Sequence, residues 1–493
     1  MRTTIIILWC GAMLAASFSW AETKPNVILV LADQWRAQAT GYAGDPNLEG
    51  KTPVLDQLAS TGINFKNAVS CTPVCTPYRG ILLTGQYPLK HGLFVNDVPL
   101  DPDALTMAKI FKQAGYDTAA IGKWHVDGYG REVYIPEERH QGFDYWKVLE
   151  CTHSYNRSLY YEQNDPTQKI WDGYDAFAQT KDAEAYIAAR NKDDKPFLLY
   201  LAWGPPHNPY EAAPDEYKRM FNPNDLILRP NVDATQPDSA VRRDLAGYYA
   251  HCVALDDALG RLLKTLEEKG MADDTIVLFT SDHGDMLGSH KQIRKQRPWD
   301  ESIRVPFLVR YPAKIEGGQT FSMPINTPDI LPTLLGLSGV SVPKSIDGTD
   351  YSAVILGEKP EPTDHAALIA CYAPFGEWTR PGGGREYRGV RTPRYTYVRT
   401  LQDGPWLLFD NESDPYQQNN LVNTAQNKEI QAKLETQLQT LLKKTDDAFE
   451  PGLNLITKWG FPYEDSGARR GNLREYRIDP PRSPAETNTE KIE

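Results

Sequence analysis

Three stretches of this chain share one design. "NVILVLAD" (26–33), "KPFLLYLAW" (195–203) and "DTIVLFTSDHGD" (274–285) are nearly unbroken apolar runs, each ending in polar, reactive residue types. A strand with one wet face alternates apolar and polar residues, so a run without alternation needs cover on both faces. Central strands of a parallel sheet flanked by helices meet that need. "YDTAAIGKWH" (116–125) is a weaker version of the same pattern. Between the second and third runs, "RRDLAGYYAHCVALDDALGRLLKTLEEKG" (242–270) reads as one long amphipathic helix closed by Gly270. Strands interleaved with helices predict an α/β layered fold with a large, mostly parallel sheet.

In such sheets, ligands bind beyond the carboxyl ends of the strands. Asp33, Lys123, His125, His207, Asp282 and His283 all fall at or just past predicted strand ends, so distant residues should meet at one edge. After about residue 360 the pattern changes. "RPGGGREYRGVRTPRYTYVRT" (380–400) and "WLLFDNESDPYQQNNL" (406–421) read as short antiparallel strands. The expected organisation is a catalytic domain over 22–360 and a smaller α+β subdomain with an antiparallel sheet over 361–493, its tail polar from about 465.

The first 21 residues combine one basic side chain, a short apolar run and small residues at Ser19 and Ala21, the pattern of a secretory signal. No later stretch approaches the ~18 apolar residues of a spanning helix. The expectation is an exported protein, periplasmic or secreted, with neither a membrane nor a nucleic-acid partner. With a net charge of -12, an anionic substrate is accepted only where positive charge is concentrated, as in "KQIRKQR" (291–297). Cys10 lies inside the signal, leaving Cys71, Cys75, Cys151, Cys252 and Cys371. An odd number in an exported chain leaves at least one unpaired or modified.

"SCTPVCTPYRGILLTG" (70–85) carries Cys-Thr-Pro twice, and only the second copy reaches an arginine. Pro77 suits the first turn of a helix, which would put Cys75 at its positive end and make an acidic, exposed thiol there. Cys75-Thr76-Pro77-Tyr78-Arg79-Gly80 resembles the signature of the type I sulfatases, of the alkaline-phosphatase-like superfamily. In that family the cysteine of Cys-x-Pro-x-Arg is oxidised to formylglycine by a maturation enzyme. Cys71 lacks the arginine and does not match. Tyr78 stands where the family usually has a small residue.

The resemblance covers most of the chain. It implies a divalent cation, calcium by preference over magnesium or manganese, held by Asp33, Gln34, residue 75, Asp282 and His283. Hard oxygen donors suit such ions. It further implies that Arg79 and Lys123 hold the hydrated aldehyde and the sulfate, and that His125 removes a proton to expel sulfate. By the same resemblance His207 and Lys295 would contact the bridging oxygen, His207 being the candidate acid for the leaving alcohol. The expected substrate is a sulfated glycan. Lys291, Arg294, Arg297 and the arginines after 380 are candidates for further anionic groups, and Trp124, Trp203 and Trp299 for sugar stacking. "Asp-Gln-Trp-Arg" (33–36) is equally compatible with a phosphonate monoester or phosphodiester hydrolase of the superfamily. A non-catalytic glycan-binding homologue would have lost Cys75, Arg79 or His125, and all three are present.

Overall fold

The computed structural model describes residues 24–191, 194–233, 240–461, 463–464 and 466–467. The predicted signal segment and most of the predicted polar tail lie outside these residues. Strand Asn26–Asp33 is buried along nearly its whole length, and its side chains divide by parity. Val27, Leu29 and Leu31 enter one apolar cluster, while Ile28, Val30 and Ala32 enter another on the opposite face. That period of two is the strand's own geometry, and it explains why the run cannot alternate in polarity. Helix Ala240–Glu268 covers the second face with Leu245, Leu255, Leu259, Leu262 and Leu266. The first face is covered by Tyr78, Leu82 and Leu83 of helix Cys75–Thr84 and by helix Ile330–Leu337. The result is a helix–sheet–helix sandwich.

Asn26–Asp33 sits between Thr275–Ser281 and Phe197–Pro206, parallel to both. Asp117–Lys123 and Tyr145–Leu149 continue outward in the same direction. The carboxyl ends of five adjacent strands therefore share one edge. On the other side Phe307–Arg310 is inserted antiparallel, followed by Ile63–Val69 and Gln319–Asn326, completing most of an 11-stranded sheet.

A second, four-stranded antiparallel sheet runs in order through Ala367–Cys371, Tyr387–Arg391, Tyr395–Thr400 and Gly404–Asp410. Helix Lys428–Lys444 lays Leu434, Leu438 and Leu442, spaced by four, onto Leu368, Val390, Tyr397 and Leu408. Cys71 belongs to this packing: its carbonyl accepts from Ala370 N at 2.8 Å and its side chain lies in the same cluster. The unmatched cysteine is a core residue. All five described cysteines are free thiols, so no disulfide is formed among the described residues. No described helix is long and apolar enough to cross a membrane.

Candidate active site

Asp33 closes its strand and Asp282 follows Ser281 in the neighbouring one, so the parallel register sets the two carboxylates side by side. Strand Ile63–Val69 delivers the chain to helix Cys75–Thr84, whose first residue is Cys75. Pro77 falls in the first turn, where a backbone N–H has no partner to lose. One ligand atom each from Asp33, Cys75, Asp282 and His283 lies within 4.8 Å of the others. Cys75 Sγ stands 3.3 Å from His283 Nε2 and 3.8 Å from Asp33 Oδ1. The thiol is not exposed and acidic as the sequence predicts. Burial, then the Asp33 charge, push it up to about 12, outweighing the helix end.

Cationic groups surround this cluster. Lys123 Nζ reaches Asp33 Oδ2 at 2.6 Å, and Arg79 Nη2 bridges Asp33 and Asp282 at 3.1 and 3.3 Å. Lys295 Nζ lies 3.4 Å from Cys75 Sγ and donates to Gln34 Oε1 at 3.0 Å and to His207 Nε2 at 2.7 Å. His125 is tied in through its carbonyl, which accepts from the hydroxyl of Thr76 at 2.8 Å. All ten predicted site residues thus gather at one sheet edge. Gln34, His125, Arg294 and Gln296 hold left-handed backbone (φ 70°, 62°, 63° and 72°), so strain concentrates here and on both sides of Lys295.

The donor set fits a divalent cation. His283 Nδ1 lies 3.0 Å from the Gly284 carbonyl, which can only accept. The ring proton is therefore on Nδ1, and the Nε2 lone pair faces Asp33 Oδ1 at 3.7 Å and Asp282 Oδ1 at 3.4 Å. Three acceptors converging without a proton repel each other unless a cation lies among them. Burial would raise Asp33, but Lys123 and further cations hold it well below the usual carboxylate range. Burial and Asp33 push Asp282 up, so it is the carboxylate short of counter-charge. Gln34 Nε2 donates to Asp285 Oδ2 at 2.6 Å, which turns its oxygen toward Lys295 and the cluster. Gly284 admits the turn after His283, since a Cβ there would meet Glu301 O at 2.0 Å.

Several contributors carry no motif in the sequence reading. Asp285, inside the quoted "TSDHGD", also accepts from Leu287 N and Arg294 N and meets the Tyr210 hydroxyl. His153 stacks on His207 with ring centroids 4.6 Å apart. Asp97 bonds His125, and Glu377 stands 3.9 Å from Lys295. Two substrate expectations are corrected. Trp124 and Trp203 are buried core residues that present no ring to a sugar, and Trp299 is half-buried, stacked on His290. Arg294 spends its guanidinium on Tyr210 and Glu377, and Arg297 on the carbonyls of Lys295 and Glu377 above the Trp378 ring. Of the basic run's three extra cations only Lys291 is largely exposed, near Asp233.

The family described as Sulfatase matches residues 25–340, nearly two-thirds of the chain and every proposed site residue. This chain belongs to the sulfatase family. It is a sulfuric ester hydrolase with the alkaline-phosphatase-like fold. A second family, N-sulphoglucosamine sulphohydrolase C-terminal, matches residues 288–444. An ulvan-active sulfatase of Formosa agariphila is 48% identical over 446 residues, covering 90% of this chain and 85% of its own. An endo-4-O-sulfatase of Bacteroides thetaiotaomicron is 32% identical, covering 86% and 92%. The crystal structure of the putative sulfatase yidJ from Bacteroides fragilis superposes with a TM-score of 0.78 at 30% identity, over 86% of this chain and 97% of that one.

Proposed function

We propose that this sulfatase is exported, matures by oxidation of Cys75 to formylglycine, and removes sulfate from a sulfated polysaccharide with calcium bound at its centre. The carrying observation is the convergence of Cys75, Asp33, Asp282 and His283 within 4.8 Å, ringed by Arg79, Lys123 and Lys295. Asp33, Gln34, Asp282 and His283 would hold the cation, and their mostly oxygen donors favour calcium or magnesium. When bound, the ion neutralises anionic oxygens and makes a hydroxyl on residue 75 a better nucleophile. Residues 1–21 would direct export, and the chain would divide near residue 360.

The chain's own groups then divide the work. Arg79 and Lys123, buried and fixed on the carboxylates, present positive charge to the sulfate as negative charge builds. His125 is pushed down to about 3, by burial first, and is the neutral imidazole able to accept a proton. His207 Nδ1 donates to Asn208 O at 2.7 Å, so its Nε2 is the lone pair receiving Lys295. Burial opposes the charge, but the neighbouring Cys75 sulfur, Glu377 and Asp33 outweigh it, so Lys295 titrates above its usual value and stays charged. A proton bound for the leaving alcohol therefore starts on Lys295 or passes from it to His207; we assign protonation of the leaving group to this pair. Glycan alkoxides need such help more than aryl groups do.

The 48% identical relative named as ulvan-active supports a sulfated polysaccharide, with ulvan the first substrate to assay. Sulfate release should be measured from ulvan and from other algal and animal sulfated glycans, beside an aryl phosphonate. A tenfold preference for the phosphonate would assign the site to phosphonate hydrolysis, and release from no ester would leave a glycan-binding homologue. The tryptic peptide ending at Arg79 should be about 18 Da lighter after maturation. An active preparation with only the unmodified thiol would overturn the nucleophile.

A further inference from the structure

Resting on the reading of His125 as the base, we propose that Asp97 is a positioning residue which fixes the Nε2–H tautomer of His125 and leaves Nδ1 as the proton-accepting atom. His125 Nε2 lies 3.1 Å from Asp97 Oδ1. A carboxylate there only accepts, so the ring proton is on Nε2. Nδ1 then carries the lone pair, and it is buried with no hydrogen-bond partner among the described residues. A buried acceptor without a partner is costly and is kept where a ligand or a transferred proton completes it.

Asp97 is itself held from behind. Arg131 donates Nε to Asp97 Oδ1 and Nη2 to Oδ2, both at 3.0 Å, in a fork that fixes the carboxylate plane. Burial opposes ionisation, but His125 and Arg131 hold the carboxyl well below the usual range. The pair is also registered against the nucleophile. Thr76, directly after Cys75, donates its hydroxyl to the His125 carbonyl at 2.8 Å and accepts the Asp97 N–H at 3.3 Å. One hydroxyl in the Cys-x-Pro-x-Arg segment thus ties the head of the Cys75 helix to both members. Asp97 and His125 each sit at positive φ, 57° and 62°, a conformation uncommon outside glycine.

The test uses matured protein, its conversion at position 75 checked by mass spectrometry, and 4-nitrophenyl sulfate, whose leaving group needs no acid. Asp97→Asn should lower kcat roughly 100-fold with KM within about threefold, the range of a misdirected general base. In a His125→Ala background the same substitution should cost nothing further, because the residue acts through the imidazole. Losses that multiply in the double variant, or an Asp97→Asn enzyme with full kcat, overturn the proposal. Should His125→Ala keep its rate, the base reading itself fails, and this inference with it. Nitrogen-15 spectra of the unaltered enzyme decide independently of any Asp97 variant's folding, with His125 assigned by its loss in His125→Ala. An Nε2–H pattern supports the proposal and an Nδ1–H pattern refutes it.

Discussion

Arginine and lysine do opposite work at the sheet edge and in the C-terminal sheet. At the edge, Arg79, Lys123 and Lys295 crowd two carboxylates, a histidine lone pair and a thiol in an arrangement with no internal balance. In the C-terminal sheet the arginines close on carboxylates: Arg388 on Asp447, Arg391 on Asp300 at 3.0 and 3.1 Å, Arg394 on Asp410 at 2.9 and 2.7 Å, Arg399 on Glu435 at 2.6 Å. By sequence alone both groups are candidate anion sites. Only the first leaves charge unspent: Arg79 and Lys123 already meet Asp33 and Asp282, and the surplus is Lys295, whose carboxylate partner Glu377 stands 3.9 Å away. A cation already forked onto a carboxylate has few N–H groups left for a substrate.

That contrast predicts which property each region controls. Cys75→Ala should reduce sulfate release by roughly 10^5-fold, the scale of losing a nucleophile, while a thermal melt moves little. Asp447→Ala should do the reverse. It strands Arg388 in the interior, where a lost counter-charge costs about 3–5 kcal/mol, and the surviving folded enzyme should keep its kcat. Loss of turnover without loss of stability in Asp447→Ala would break the comparison. Removing the cation should fall between these extremes. Chelation of the holoenzyme should abolish turnover and lower stability by about 3 kcal/mol if calcium had stood near 100 times its Kd. Added calcium should restore both, and an Asp282→Ala melt should ignore the chelator. A wild-type melt indifferent to chelation would remove the cation from the centre.

The fold was largely legible because unbroken apolar runs have few alternatives. The run at 26–33 is the strand Asn26–Asp33 residue for residue, and the long helix occupies Ala240–Glu268. The site was legible where a strand end delivers a side chain, as with Asp33, Lys123 and Asp282. It was not legible where a side chain arrives from a loop that carries no motif; Lys295, also on a loop, was named through the family resemblance. Asp97, His153 and Asp285 reach the site from such loops, Asp97 at positive φ, and Glu377 comes from the single 3-10 turn Gly376–Trp378. Nor does sequence tell a buried tryptophan from a sugar platform, since Trp124 follows Lys123 directly and still turns inward. The acidity expected of Cys75 failed for the same reason: a helix end is visible in sequence, and burial is not.

The smallest effect concerns what fastens the two sheets. Asp300, on the short helix Asp300–Ile303, takes Arg391 of the antiparallel sheet in a fork, and Arg391 also reaches Asn67 of the large sheet at 3.1 Å. Burial would raise Asp300, but Arg391 and Arg304 outweigh it and hold the carboxyl at about 2. The folded value lies below the unfolded one, so the stabilisation is complete above pH ~4 and drains as pH falls through 2. A difference of nearly two pH units corresponds to about 2 kcal/mol. Urea unfolding between pH 5 and 2 should show this loss in the wild type and a flatter acid limb in Asp300→Asn, which starts less stable because Arg391 is left unpaired. Asp410→Asn should change that limb less, since its partner Arg394 is half exposed and solvent screens the pair. Equal acid limbs in the wild type and Asp300→Asn would mean that the fork holds no more than a surface pair does, and the division between balanced and unspent charge would lose its structural half.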